Sequence, residues 1–321
     1  MNKVFSLKSR GMLFNRQFVI TLKWLIMISA CVYLGYVLIR FDHYNQLWTY
    51  FREMSPVKLL WLALVLILLP VNLFLESCKW KLLVSKTEII SARTAFKAVL
   101  AGFSTGFITP NRTGEFAGRV LYLEKSNRSA GVFYAVLNSL TQNLVLAFAG
   151  LPSALYFFLF INQDNPLNYG YYLVFVTITA ISLVILYFLI PFFARMKFWK
   201  RVITFSDEIR AFRFHDLFRT LIISLFRYLV FCTQFYAMLL FFGIDIEPWQ
   251  ALIAIPANYL FVTFTPSLAF SEAAIRTSYA VIFIGAFSTQ LAGIAFAGAT
   301  LWLINFGVPV LLGLHYIVQK N

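Results

Sequence analysis

The sequence predicts an all-α integral membrane protein with six spanning helices, two re-entrant helical hairpins and an inverted internal repeat. Three observations predict it. Hydrophobic residues make up 60% of the 321-residue chain and charged residues only 12%, against about 25% charged in a soluble globular domain. Apolar runs long enough to cross roughly 30 Å of hydrocarbon recur along the chain. Two shorter apolar runs end in Thr-Pro, and the sequence after one resembles the sequence after the other.

The spans come in order at 19–39, 57–75, 129–161, 171–193, 220–243 and 286–318. The first, Val19 to Ile39, is too long for a signal-peptide core and lacks a small-x-small cleavage site, so it reads as a retained span. Runs 98–109 and 251–264 are too short to cross, and they end at Thr109-Pro110 and Thr265-Pro266. Proline removes a helical donor and pushes the preceding residue out of the α region.

Charge sets the orientation. The chain carries 27 Lys+Arg against 13 Asp+Glu, a net charge of +14. In a soluble protein that excess would point to nucleic acid. Here the basic residues fall in short loops, which reads as orientation in a bilayer and excludes a nucleic-acid partner. Loops 162–170 and 244–250 contain no Lys or Arg, whereas the N-terminal segment and 194–219 are basic. The expected protein is a multi-pass membrane protein with both termini cytoplasmic. Run 98–109 is basic on both sides, with Lys97 before it and Arg112, Arg119, Lys125 and Arg128 after it. A hairpin that dips in and returns keeps all of these charges on one side. Irregular backbone at such depth is tolerated only where protein buries it or water lines it.

A shift of 157 residues lays Glu115 on Glu272, Arg119 on Arg276, Tyr122 on Tyr279, Gly150 on Gly307 and Pro152 on Pro309. Over 115–160 the overlay gives ten identities in 46 positions. The chain then reads as one transmembrane domain, 1–321, made of a first repeat, 1–161, and a second, 162–321. Each repeat holds three spans, an odd number, so the second is inverted. Inverted repeats with broken helices meeting near the midplane are a transporter signature.

The candidate residues follow from the repeated hairpins. Thr109, Pro110, Asn111 and Gly114 form one turn, and Thr265 and Pro266 the other. Each turn starts a helix with Glu in its first turn and Arg four residues on: Glu115 with Arg119, and Glu272 with Arg276. Such pairs suit the helix dipole and the i,i+4 spacing, so capped helices with ordinary ion pairs are one reading. Charges in a polar cavity at membrane depth are the other. Arg227 lies inside a span, either snorkelling to the interface or facing the hairpins to bind a lipid phosphate. Asn138, Thr141, Gln142 and Asn143 fit the same cavity or interhelical hydrogen bonding. Asn72, Glu76 and Lys79 share one face at the end of the second span and read as an interfacial cap. Residues 195–216 alternate apolar with basic side chains, as an amphipathic anchor does.

No catalytic residue, metal site or cofactor is read. The three cysteines and three histidines form no ligand spacing, and the nucleotide-binding loop, zinc-protease motif and nucleophile elbow are all missing from the sequence.

The run from Thr109 through Glu115 to Arg119, with Asn72 to Lys79-Trp80 upstream and Thr265-Pro266 to Glu272 downstream, resembles the flippase-like transmembrane domain of bacterial lysylphosphatidylglycerol synthases. The resemblance covers nearly the whole chain. It implies a membrane protein that moves a lipid between leaflets. The full-length synthases add an aminoacyl-transferase domain, whereas this sequence stops at Asn321, so lipid lysylation is not expected. The second hairpin departs from the family by having Ala269, Phe270 and Ser271 where glycines are usual. The expectation is a stand-alone lipid flippase and not an enzyme. Its partner is a phosphate-bearing membrane lipid, with a homo-oligomer or a pathway enzyme as further partners. Arg112, Arg119, Arg227 and Arg276 bind the head group, and Glu115 and Glu272 tune those arginines or carry a proton. The rival readings are a membrane enzyme with Glu115 or Glu272 as general base, and an accessory scaffold in a lipid or glycan pathway.

Overall fold

The computed structural model describes residues 55–107, 109–161, 169–193, 212–267 and 269–319. Every described residue belongs to the compact unit His43–Asn321. The expected span 19–39 lies outside the described residues. Among those described there is no strand.

Helix α1, Pro56–Val84, starts where Ser55 accepts a hydrogen bond from the Lys58 amide and Pro56 takes the first helical position, where its missing donor costs nothing. Its 29 residues reach about 44 Å, well past a bilayer core. The apolar run predicted a span ending at residue 75, but the helix continues to Val84. Glu76 and Lys79, which end that run, are buried against other helices and so do not stop it. The remaining helices are α2 (Ala92–Gly106), α3 (Gly114–Val120), α4 (Arg128–Tyr156), α5 (Tyr169–Phe193), α6 (Phe214–Phe241), α7 (Pro248–Phe264), α8 (Ala269–Ile284), α9 (Leu291–Trp302) and α10 (Val308–Gln319). A π-helical turn extends α4 to Ile161, and another, Leu303–Gly307, joins α9 to α10.

Four helical runs have the length and hydropathy of a membrane span: Pro56–Val84, Lys125–Ile161, Phe214–Phe241 and Leu291–Ile317. Helix α5 adds 25 residues with no charged side chain. On α1, Leu60, Ile67 and Phe74 are more than 60% exposed. A contiguous outward apolar face of this kind suits lipid and not water. The last run starts at Leu291 and not at the expected 286, because Gly285, Ala286 and Phe287 form the turn after α8.

Helices α1 and α6 pair antiparallel. Lys79 meets Ser224, Glu76 meets Arg227, and Gln234 reaches the Val65 carbonyl, so one number falls as the other rises. Helices α2 and α3 form a tight antiparallel hairpin. A Cβ on Gly118 would overlap the Thr105 hydroxyl and the Ala101 carbonyl, so only glycine permits this approach. Helices α7 and α8 form a second hairpin, joined by aromatic rings: Phe261 lies 5.1 Å from Phe283 and 5.5 Å from Tyr279.

The tips of the two hairpins touch. The Asn111 amide donates to the Ser267 carbonyl at 2.9 Å, and the Ser267 amide donates to Asn111 Oδ1 at 2.8 Å. The long helices pack reciprocally. Helix α10 lies on α2, where Ser104 donates to the Val310 carbonyl, and α4 lies on α7, where Gly150 meets Leu260. Gly313, which packs directly over Leu100, makes the close approach in the second half; Gly307, which the sequence overlay pairs with Gly150, sits in a π turn.

Candidate functional site

The site is built outward from one carboxylate. Glu76 on α1 is 1% exposed. A buried charge is tolerated only when it is paired and hydrogen-bonded. Glu76 Oε2 accepts from Arg227 of α6 at 2.6 Å and lies 3.6 Å from Lys79. Its Oε1 meets Arg119 of α3 at 2.7 Å and accepts from the Asn138 amide of α4 at 2.7 Å. Asn72, one helical turn before Glu76, accepts from Arg227 Nε at 2.7 Å. Lys79 is fully buried and donates to the Asn138 carbonyl and to Ser224. This hub ties four helices together.

From the hub the pairs run to the hairpin tips. Arg119 donates to Glu115 at 3.0 Å, the i,i+4 pair within α3. Arg112 lies 3.9 Å from Glu115 and grips Glu272 of α8 through Nε and Nη2, at 2.6–3.0 Å. Its guanidinium also stacks 3.9 Å from the centre of the Phe306 ring. Glu272 accepts as well from Arg276, four residues on. The bidentate fork fixes both partners in orientation, which a lysine could not do.

The turn that presents Arg112 is strained. Asn111 and Arg112 have φ of 50° and 57°, a left-handed conformation uncommon outside glycine. Asn111 tolerates it through its side-chain bond to Ser267, and Arg112 is held by Glu272. The Thr109 hydroxyl accepts from the Gly114 amide at 2.6 Å, capping α3. Pro110 opens this turn. In the second turn, Thr265 closes α7 with its hydroxyl 2.9 Å from that of Tyr279, and Pro266 follows, exposed.

The four arginines and two glutamates that the sequence assigned to the site, Arg112, Glu115, Arg119, Arg227, Glu272 and Arg276, line one cavity of about 480 Å³, and Glu76 lines it with them. Asn138, Gln142 and Asn143 line it too, whereas Thr141 bonds back to carbonyls of its own helix. Arg227 is 9% exposed and turned onto Glu76, so it does not snorkel. Glu76, Asn72 and Lys79 are not an interfacial cap. They are the hub, and sequence reasoning missed it because a polar face at the end of an apolar run looks the same in either role. The available signal was their shared face together with the second span's capacity to run on as helix.

Four guanidiniums, always protonated, face three carboxylates, and Lys79 adds a fifth basic group. Arg119 Nε, Asn138 Oδ1 and Gln142 Oε1 are buried beside this cavity without a hydrogen-bond partner among the described residues. Buried polar atoms are rarely left unpaired. Among the described residues no cluster of His, Cys, Asp and Glu could hold a metal ion.

The family model for the lysylphosphatidylglycerol synthase TM region matches residues 20–318. The chain belongs to this family. No curated protein and no solved structure matches it. Membership ties the chain to membrane-lipid function.

Proposed function

We propose that the chain moves a phosphate-bearing lipid, of the phospholipid or polyprenyl-phosphate type, between leaflets. One observation carries the reading: an excess of arginine converges on a cavity at the touching tips of two helical hairpins. An isolated charge entering hydrocarbon loses its water at a cost on the order of tens of kcal/mol. Arg112, Arg119, Arg227 and Arg276 would replace that water with fixed donors, while the acyl or prenyl tails stay in lipid. Glu115 and Glu272 hold the guanidiniums in place between binding events. Both carboxylates are already engaged by arginine, which favours charge tuning over a general-base role.

The same reading makes the hairpins re-entrant and the two halves, 1–161 and 162–321, an inverted pair. The reciprocal packing of α10 on α2 and α4 on α7 supports it, because a two-fold axis between the halves would exchange these contacts. Both termini and residues 112–128 then lie on the cytoplasmic side of a bacterial inner membrane. A single cysteine placed at Ser126 should resist an impermeant external reagent, and strong labelling would overturn the re-entrant hairpin.

Transport is tested in proteoliposomes by the leaflet accessibility of a labelled phospholipid or polyprenyl phosphate over time, without nucleotide. Wild-type protein should redistribute the label. Arg119→Ala should abolish this while remaining folded and inserted. If neither lipid moves faster than in that variant, with or without a proton gradient, the transport reading fails.

A further inference from the structure

A second cavity lies away from the arginine site, in the groove between the C-terminal end of α1 and the N-terminal end of α6. Its volume is about 620 Å³, within the range of roughly 300–1,000 Å³ usual for small-molecule sites. Its walls are almost wholly apolar, with Leu82, Phe218, Ile222 and Ile223 among them and Cys78 on one side. At the helix ends the groove is rimmed by Lys81, His215 and Arg219, all exposed. Neither Lys81 nor Arg219 forms an ion pair among the described residues. Asp216, in the first turn of α6, is engaged by Lys86 at 2.6 Å.

The order of groups along the groove is that of an amphipathic lipid. Because α1 and α6 run antiparallel, Lys81 near the end of α1 and His215 and Arg219 at the start of α6 share one end. Ile222, Ile223 and Cys78 lie deeper, toward the middle of both helices. A saturated chain needs the apolar wall, and a phosphate needs cations at its interfacial end. A zwitterionic head group brings its own compensating charge, whereas an anionic one does not. We infer that this groove is a binding site for an anionic phospholipid, separate from the transport cavity. The site stands on the groove's own geometry, whether or not the chain moves lipid.

Cys78 reports occupancy. In full-length protein carrying Cys31→Ser and Cys232→Ser, purified in dodecyl maltoside and stripped of lipid, Cys78 should react with a maleimide. Added phosphatidylglycerol should slow alkylation by at least about tenfold, and phosphatidylcholine by far less, since each basic residue favours an anionic lipid several-fold. Lys81→Gln with Arg219→Gln should erase the phosphatidylglycerol effect. That effect is read as the ratio of the lipid-bound to the lipid-free rate within each protein, because Lys81 itself acts on the nearby Cys78 thiol. An unchanged unfolding midpoint shows that the groove remains folded. Equal protection by both lipids would mean an unselective apolar surface and overturn the inference. So would no protection by either lipid. A Cys78 that is unreactive in lipid-free protein would mean that another segment of the chain or a second copy fills the groove, and would overturn it as well.

Discussion

The two hairpins occupy matching places in the chain but are held together by different means. In the first, Gly102, Gly106, Gly114 and Gly118 line the seam, and the backbones of α2 and α3 approach so closely that a Cβ at Gly114 or Gly118 would overlap a carbonyl of α2. The shift that pairs Glu115 with Glu272 puts Ser271 and Ile275 at the places of Gly114 and Gly118. There α7 and α8 are spaced by side chains and joined by aromatic rings. The first hairpin also carries Arg119, which reaches Glu76, whereas the charges of the second end at Glu272 and Arg276. The difference teaches that the first hairpin positions the site through its backbone. The second serves as the wall against which Arg112 is locked.

Four experiments would break or sharpen that contrast. Glu76→Ala should do the most damage, because it strands Arg119, Arg227 and Lys79 in a buried site. Breaking a buried pair from one side costs about 3–5 kcal/mol. The expected result is loss of monodisperse protein on detergent extraction, or a sharply lowered unfolding midpoint. Gly118→Val comes next. Overpacking costs about 1–3 kcal/mol and more where backbone blocks relaxation, whereas Ile275→Ala at the matching position should cost less than the roughly 2–5 kcal/mol of a fully buried isoleucine, because Ile275 is only half-buried. Equal melting shifts for the two would show that the seams are alike after all.

The contact between the tips ranks third. A double-mutant cycle on Arg112→Ala and Glu272→Ala should give a coupling of about 1–3 kcal/mol, as for bonded charges in one network. Additive losses would mean that the Asn111–Ser267 contact docks the two tips without help from this ion pair. Asn111→Gly should change least. It relieves a left-handed residue but gives up the Ser267 hydrogen bond, worth about 0.5–1.5 kcal/mol, so the midpoint should move by a degree or two at most.

The sequence by itself determined the class of the molecule, the places of most described spans and the two helix breaks at Thr109-Pro110 and Thr265-Pro266. Hydropathy and the Thr-Pro breaks are local properties, and a bilayer acts on them residue by residue. The Glu115–Arg119 and Glu272–Arg276 pairs were legible for the same reason, since spacing four on a helix fixes neighbours. Only the tertiary structure decided that Arg112 crosses to Glu272, 160 residues away, and that Arg227 meets Glu76 across 151 residues. It also decided that Asn72, Glu76 and Lys79 form a buried hub and not a solvated cap. A helical face that ends an apolar run looks the same whether it meets head groups or three other helices. Which of these covers it depends on where the chain returns, and that is settled by the packing of distant segments.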